Sequence, residues 1–148
     1  MKELRLLFVL SVFFFFVPLS GQESSLEPVK PEELGWFYTL AVLKHSDHFS
    51  FSLMKEGWLS FDTWGDGAEF EQHRIEVSKS EFGTLKNQFE ELHEKAASFK
   101  ESADVFPSYA FEKVSNTVTT FEFSGDHPEV ITFLKKLSEI SGVKLPFE

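Results

Sequence analysis

One stretch of the chain, residues 78–99, has a hydrophobic spacing that fits an α-helix. Its apolar residues recur at intervals of three and four, at Phe82, Leu85, Phe89, Leu92, Ala96 and Phe99. This spacing puts them on one side of a helix. The polar residues between them then lie on the other side: Lys86, Gln88, Glu90, Glu91, Glu94 and Lys95. Ser78 and Glu81 have the form of a capping box at its start. A helix with one apolar stripe needs a surface to pack against, and the flanking residues indicate that this surface is a sheet.

Four segments with strand character precede the helix. Residues 36–43 are apolar or aromatic at both alternating positions, which is typical of a strand covered on both faces. Residues 49–53 alternate Phe or Leu with Ser, which predicts a half-buried strand. Residues 58–64 follow Gly57, and residues 68–77 follow the turn signal Gly65-Asp66-Gly67. The apolar positions of this fourth segment change parity, which indicates a bulge near Gln72 or two shorter strands.

Two further strands and a second helix complete the chain. The strands are marked by aromatic residues at alternating positions, Tyr109 with Phe111 and Phe121 with Phe123. The helix is predicted to begin at a capping box of Asp126 and Glu129 and to end at Gly142. The resulting order ββββ-α-ββ-α predicts an α+β fold, a mostly antiparallel sheet of about five to six strands with two helices packed on it.

The N-terminus has the pattern of a secretory signal peptide. Lys2 and Arg5 precede an apolar run at residues 6–19, and the chain turns polar at Gln22. The run is shorter than the roughly 20 residues that a membrane-spanning helix needs. We therefore expect a signal peptide at residues 1–21, an acidic Pro-containing linker at 22–35 and a single α+β domain at 36–148. The alternative is a chain anchored in the inner membrane through residues 6–19.

Charge and cysteine content limit the classes of partner. The chain carries 14 basic and 24 acidic residues, of which two and one lie in the signal segment, so the remainder has a net charge of −11. Such a chain repels phosphate backbones, which argues against nucleic acid as a partner. We expect a basic protein or a cell-envelope component instead, and no stable membrane insertion after signal removal; the oligomeric state stays open. Without cysteine, the exported domain must be held together by packing alone. An exported chain that lacks both disulfides and Asn-x-Ser/Thr sequons fits a bacterial periplasm better than a eukaryotic secretory route, so we expect a periplasmic or otherwise secreted protein.

The common catalytic motifs are missing from the sequence. Catalysis by a thiol is impossible without cysteine, and neither a Gly-x-Ser-x-Gly nucleophile motif nor a complete phosphate-binding glycine loop occurs. We therefore predict no catalytic residues and no cofactor. His45, Asp47 and His48 are candidate metal ligands because imidazole and carboxylate suit zinc or copper. A polar turn between two strands is the preferred interpretation, since positions 45 and 48 of a strand point to opposite sides.

The third strand-like segment offers the best candidate for ligand binding. Trp58, Asp62 and Trp64 share one parity of residues 58–64, opposite Leu59 and Phe61. Two indoles about 20 Å apart on one sheet face could anchor a partner, because tryptophan is enriched among the residues that dominate binding energy. The alternative is that the second helix covers this face.

Two functions from different classes follow from these observations. The favoured one is an exported, acidic, non-catalytic interaction or binding module. The alternative is a small hydrolase or metal-dependent enzyme whose acidic and histidine residues converge only in the folded chain. Titratable groups brought together in one cleft would favour the enzyme.

Overall fold

The computed structural model describes residues 30–65, 68–102 and 104–145. The predicted signal peptide and residues 22–29 of the predicted linker lie outside the described residues. The elements follow the predicted order ββββ-α-ββ-α. They are β1 (Trp36–Lys44), β2 (Asp47–Met54), β3 (Trp58–Gly65), β4 (Ala68–Glu76), α1 (Lys79–Ala96), β5 (Ser108–Val114), β6 (Val118–Ser124) and α2 (Pro128–Ser141).

The six strands form one antiparallel sheet in the order β4-β3-β2-β1-β5-β6. Strands β1 to β4 are a meander in which each strand pairs with the next. The chain then runs through α1 and returns, so that β5 pairs with the free side of β1 and β6 pairs with β5. The predicted α+β fold class is confirmed.

One face of the sheet, here called the first face, carries the hydrophobic core. In the register of the sheet, Leu40 pairs with Phe51 on one side and Phe111 on the other, and Phe51 pairs with Phe61. These side chains are all buried and form one cluster with the apolar residues of both helices. The helices also contact each other, because the rings of Phe89 in α1 and Phe133 in α2 lie 4.8 Å apart. Both helices therefore pack on the first face.

Helix α1 begins as the sequence predicts. The side chain of Ser78 accepts a hydrogen bond from the backbone N–H of Glu81 at 3.2 Å, and the carboxylate of Glu81 accepts one from the backbone N–H of Ser78 at 3.1 Å. The predicted capping box is confirmed. Leu85, Phe89 and other members of the apolar stripe are buried, so the stripe identifies the packing side of the helix.

Glu90 of α1 differs from the expectation that it lies on the outward side. Its carboxylate accepts hydrogen bonds from the hydroxyl of Tyr38 in β1 and from the ammonium group of Lys113 in β5. The Glu90 side chain is only 34% exposed. A position next to the stripe is at the edge of the helix–sheet contact, where a long side chain can reach the sheet. The spacing alone does not distinguish such an edge position from a fully solvated one.

One local prediction is shifted and another is wrong. The pairing of β3 with β4 is regular at Gln72, but Thr63 pairs with Glu71 and Gly65 with Ala68, so β4 has one extra residue just before Gln72. The predicted bulge is therefore present in β4, between Ala68 and Glu71, and it accounts for the change of parity after Phe70. Helix α2 begins after His127, whose backbone carbonyl accepts from Val130, and no side chain caps it. The capping box of Asp126 and Glu129 is therefore not formed.

The described part of the predicted linker is ordered against the sheet. Residues Pro31–Glu33 form a single 3-10 turn, and Leu34 is buried with Trp36 and Val114. The carbonyl of Gly35 accepts a hydrogen bond from the backbone N–H of Lys55, in the turn between β2 and β3. Neither of the two described helices is long and apolar enough to cross a membrane.

Candidate functional site

The face of the sheet opposite the helices, here called the second face, contains all three predicted ligand-binding residues. Trp58, Asp62 and Trp64 lie on β3 at the parity opposite Leu59 and Phe61, which belong to the core. Because α1 and α2 pack on the first face, the alternative that α2 covers these residues is wrong. Trp58 and Trp64 are half-buried, whereas Asp62 is buried.

The centre of the second face is a patch of small and polar side chains, here called the floor. The register aligns Thr39, Ser52 and Ser60 in one row across β1, β2 and β3. A second row, two residues along each strand, consists of Ala41, Ser50 and Asp62. All six are at most 5% exposed.

Larger side chains border the floor at both ends of these strands. One border, the first wall, consists of Trp36, Met54 and Trp58. The other, the second wall, consists of Leu43, His48 and Trp64, with the rings of His48 and Trp64 5.9 Å apart. The two tryptophans of β3 are six residues apart, which corresponds to about 20 Å along a strand. The second face is therefore a trough with a polar floor and aromatic walls.

The polar groups of the floor bond to one another. The hydroxyls of Thr39 and Ser52 lie 2.9 Å apart, and the hydroxyl of Ser60 donates to the carboxyl of Asp62 at 3.3 Å. Beside the floor, the indole N–H of Trp36 donates to Oε1 of Glu112 at 2.8 Å. Hydrogen bonds of this kind between buried side chains offset the free-energy cost of removing their polar groups from water.

Two carboxyl groups of the second face are affected by burial. Burial raises the pKa of Asp62, and hydrogen bonds from Gln72 and Ser60 oppose this rise. Burial also raises the pKa of Glu112, opposed by the hydrogen bond from Trp36. The two residues are on β3 and β5, three strand spacings apart, or about 14 Å. That separation exceeds the ~6.5–9.5 Å at which paired carboxyl groups act on one glycosidic bond, so they do not form an acid–base pair of that kind.

The candidate metal ligands do not come together. His45 lies in the turn between β1 and β2 with φ 48°, and its ring is 4.8 Å from that of Phe106. His48 lies instead beside Trp64 in the second wall, and Asp47 is exposed at the start of β2. Within residues 30–65, 68–102 and 104–145, no group of three or more His, Asp or Glu could hold a metal ion.

Other buried titratable groups lie on the first face and serve packing. Burial lowers the pKa of His93, whose ring lies 4.7 Å from that of Phe121 and whose Nε2 is 3.3 Å from the carbonyl oxygen of Thr119. Burial raises the pKa of Tyr109 to about 12, and its hydroxyl has no hydrogen-bond partner among the described residues. These residues are on the opposite side of the sheet from Asp62, so they do not extend the second face into a catalytic site.

Sequence reasoning missed Trp36 and Glu112. The pairing of β1 with β2 shifts between Trp36 and Tyr38. Counting alternate residues back from Tyr38 therefore assigns Trp36 to the first face, whereas it lies on the second face. The Ser residues at positions 50 and 52 were the available signal for the floor, because small side chains at alternating positions leave room above a sheet. The chain matches no protein-family model and no curated protein.

Proposed function

We propose that the protein is an exported, acidic binding module without catalytic activity, and that the second face of the sheet is its binding surface. The observation that supports this most is the position of the tryptophans. The chain has three, Trp36, Trp58 and Trp64, and all three belong to the walls of the second face. Tryptophan is among the residues that most often dominate binding energy at interfaces, so three on one face favour a binding role for it.

The shape and charge of the protein favour a basic, partly apolar partner. The walls offer the half-buried indole rings of Trp58 and Trp64 for contact with an apolar part of a partner. The net charge of −11 after signal removal would attract a cationic partner over a long range. The association rate should then fall as salt screens the charges.

The test is capture of partners from a cell-envelope extract by the immobilised chain of residues 22–148, followed by titration of each purified partner. Replacing Trp64 by Ala should weaken binding by about 2 kcal/mol, roughly a 30-fold increase in Kd. Phe106→Ala is the matched control, because this aromatic residue is 49% exposed but belongs to neither wall. We expect Phe106→Ala to leave binding unchanged, and high salt to slow association for all three proteins.

Two outcomes would contradict the proposal. Equal affinity of the wild-type and Trp64→Ala proteins would show that the second face is not the binding surface. A turnover activity that disappears when a chelator is added would favour the alternative, a small metal-dependent enzyme.

A further inference from the structure

The two edge strands of the sheet, β4 and β6, differ in how their free edges are protected. β4 carries four charged residues and has the bulge between Ala68 and Glu71. Charges and bulges are among the features by which natural edge strands avoid pairing with other chains. β6 pairs regularly with β5 over its whole length, and Glu122 is its single charged residue. The edge of β6 therefore lacks the protection that β4 has.

A hydrogen bond at the end of β6 shows which of its backbone groups point away from β5. The N–H of Ser124 donates to the carbonyl of Lys100 at 3.2 Å, and Lys100 lies outside the sheet. Residues that point toward and away from the neighbouring strand alternate along an antiparallel ladder. The N–H and carbonyl groups of Val118, Thr120 and Glu122 therefore also point away from β5.

The turn of the β5–β6 hairpin agrees with this assignment. The N–H of Ser115 donates to the carbonyl of Thr117 at 2.9 Å, so the odd-numbered residues here face the other strand of the hairpin. Within the described chain, no hydrogen bond from outside the ladder reaches the backbone of Val118, Thr120 or Glu122. β6 therefore presents three N–H and three carbonyl groups to an incoming strand.

The charge of this edge on the second face is negative and has no counter-ion. Glu122 pairs with Ala110, which pairs with Ala41 of the floor, so Glu122 lies on the second face, where it is half-buried. It forms no ion pair with any described residue. Lys113 is the single basic residue of the hairpin, and it is bound to Glu90 on the first face. A basic side chain beside Glu122 is therefore the complement of this edge.

The edge on the first face is partly apolar. Phe121 is half-buried there, with its ring 4.7 Å from that of His93 in α1, and Thr119 beside it is exposed. Apolar and β-branched side chains pair well with such residues across two neighbouring strands. Because successive side chains of a strand point to opposite faces, a strand that fits both faces alternates basic with apolar residues.

We infer that the edge of β6 binds an extended segment of a partner protein, of alternating basic and apolar residues, as a seventh antiparallel strand of the sheet. In this kind of binding, backbone hydrogen bonds supply affinity and alternate side chains supply specificity. The inference goes beyond the proposed function, because it concerns the edge of the sheet and not the trough on its second face.

A second copy of the chain fits this edge less well. Two paired β6 strands would bring together two chains that each carry a net charge of −10. Both Glu122 carboxyl groups would remain without a basic neighbour, since β6 contains no basic residue. Repulsion between like charges opposes such a pair, whereas a basic segment is attracted to the chain.

The experiment uses a synthetic peptide of alternating Lys and Val, capped at both ends and as long as β6, seven residues. Fluorescence anisotropy measures its Kd for the full chain, and amide hydrogen exchange followed by NMR shows where it binds. We expect exchange at Val118, Thr120 and Glu122 to slow when the peptide is added, because their N–H groups gain acceptors. Exchange at Thr119 and Phe121, which already bond to β5, should change little.

Two altered peptides separate the contribution of the backbone from that of the charge. The same peptide with a fully N-methylated backbone keeps its side chains but cannot donate, so its Kd should be at least about tenfold higher. A peptide of alternating Glu and Val has the reversed charge, and we expect no measurable binding of it to the natural chain.

Variants of the chain then locate the contact. Thr120→Pro removes one outward N–H that takes no part in the ladder, a position at which an edge strand tolerates proline. Glu122→Lys reverses the charge of the edge. Each should raise the Kd of the Lys–Val peptide about tenfold, and Glu122→Lys should gain binding of the Glu–Val peptide. Slow exchange at Phe121 in both variants would show that the ladder with β5 is intact.

Glu71→Lys is the matched control for net charge. Glu71 is exposed on β4, at the opposite edge of the sheet, and its replacement changes the net charge of the chain by the same amount as Glu122→Lys. We expect it to change the Kd of the Lys–Val peptide by less than about twofold, because exposed charges at that distance are screened by salt.

Four results would overturn the inference. They are no measurable binding of the Lys–Val peptide, equal Kd values for the plain and N-methylated peptides, unchanged exchange at residues 118, 120 and 122 when the peptide is bound, and protection of these amides that rises with protein concentration alone. The last result would identify a second copy as the occupant. The peptides and the β6 variants leave the walls of the second face unaltered. Failure here therefore leaves the proposed binding function intact, and equal capture by the Trp64→Ala protein would leave this inference intact.

Discussion

The two faces of the sheet are built from the same strands but differ in how they are stabilised. On β2, Phe49, Phe51 and Leu53 enter the core on the first face, and Ser50 and Ser52 lie between them on the second face. All five are at most 3% exposed. The first face gains stability from apolar area removed from water. The second face buries polar groups whose hydrogen bonds replace those made with water, with a small net gain. Each side chain buried on the second face therefore adds less to the free energy of unfolding than one buried on the first face.

The largest expected effect comes from the first face. Phe51→Ala should lower the free energy of unfolding by roughly 3–5 kcal/mol, because the side chain is 0% exposed and touches the rings of Phe49 and Phe61. Urea unfolding followed by circular dichroism measures this loss. A loss below about 0.5 kcal/mol, the range of an ordinary surface change, would mean that the first face is not the main core.

The contact between α1 and the first face gives a smaller effect. Glu90→Ala should cost about 1 kcal/mol, because the hydroxyl of Tyr38 loses its acceptor while Lys113 remains half-solvated. Glu91→Ala, the exposed neighbour on the same helix, should cost less than about 0.5 kcal/mol. A double-mutant cycle with Tyr38→Phe isolates the pair, and a coupling energy near zero would show that the contact contributes nothing.

A change at Ser52, the neighbour of Phe51 on β2 that lies on the second face, should lower the free energy of unfolding only slightly. Ser52→Ala removes one hydroxyl and leaves that of Thr39 without this partner, so we expect a loss of about 0.5–1.5 kcal/mol. The ratio of the Phe51→Ala and Ser52→Ala losses, from the same urea measurements, is the sharpest test of the difference between the faces. Equal losses of unfolding free energy in the two variants would show that the two faces do not differ in how they are stabilised.

The smallest effect is a change in how stability depends on pH. Asp62 and Glu112 have pKa values raised above their ordinary values of 3.8 and 4.5, so the folded chain binds more protons than the unfolded chain between the ordinary and the raised values. In that window their contribution to the free energy of unfolding is greatest at low pH and falls as the pH rises. For each group the fall is at most about 1.4 kcal/mol per pH unit.

Asp62→Asn and Glu112→Gln should each flatten that slope, because neither amide titrates. Glu122→Gln, which removes a charge from a half-buried position on the same face, is the control for the overall charge of the chain. Urea midpoints from pH 4 upward would measure the slopes. The same flattening in all three variants would assign the effect to net charge and not to burial on the second face.

The sequence was sufficient for the fold and for part of the site. The spacing of Leu85, Phe89 and Leu92 identified the packing side of α1, and the alternation of Phe and Ser identified β2, because both depend on local periodicity. Trp58, Asp62 and Trp64 could be placed together because they lie on one regular strand.

The remaining features depend on geometry that no local pattern contains. The pairing shift between Trp36 and Tyr38 is a property of two paired strands, and it moved Trp36 to the second face. The contact of Glu90 with Tyr38 joins residues 52 positions apart. The alternation in β2 showed which side is apolar, but it did not show that Ser50 and Ser52 are buried as well.

The position of β1 in the sheet has a consequence for the rate of folding. The meander β1 to β4 is closed by turns, and Lys44 pairs with Asp47 only three residues away. The ladder of β1 with β5 instead pairs Leu43 with Ser108 and Tyr38 with Lys113, separations of 65 and 75 residues. Local hairpins form within about 1–10 μs, whereas closing a long loop has an entropic cost that must be met before its contacts form. The meander and the β5–β6 hairpin should therefore form early, and their joining along β1 should set the folding rate of the whole domain.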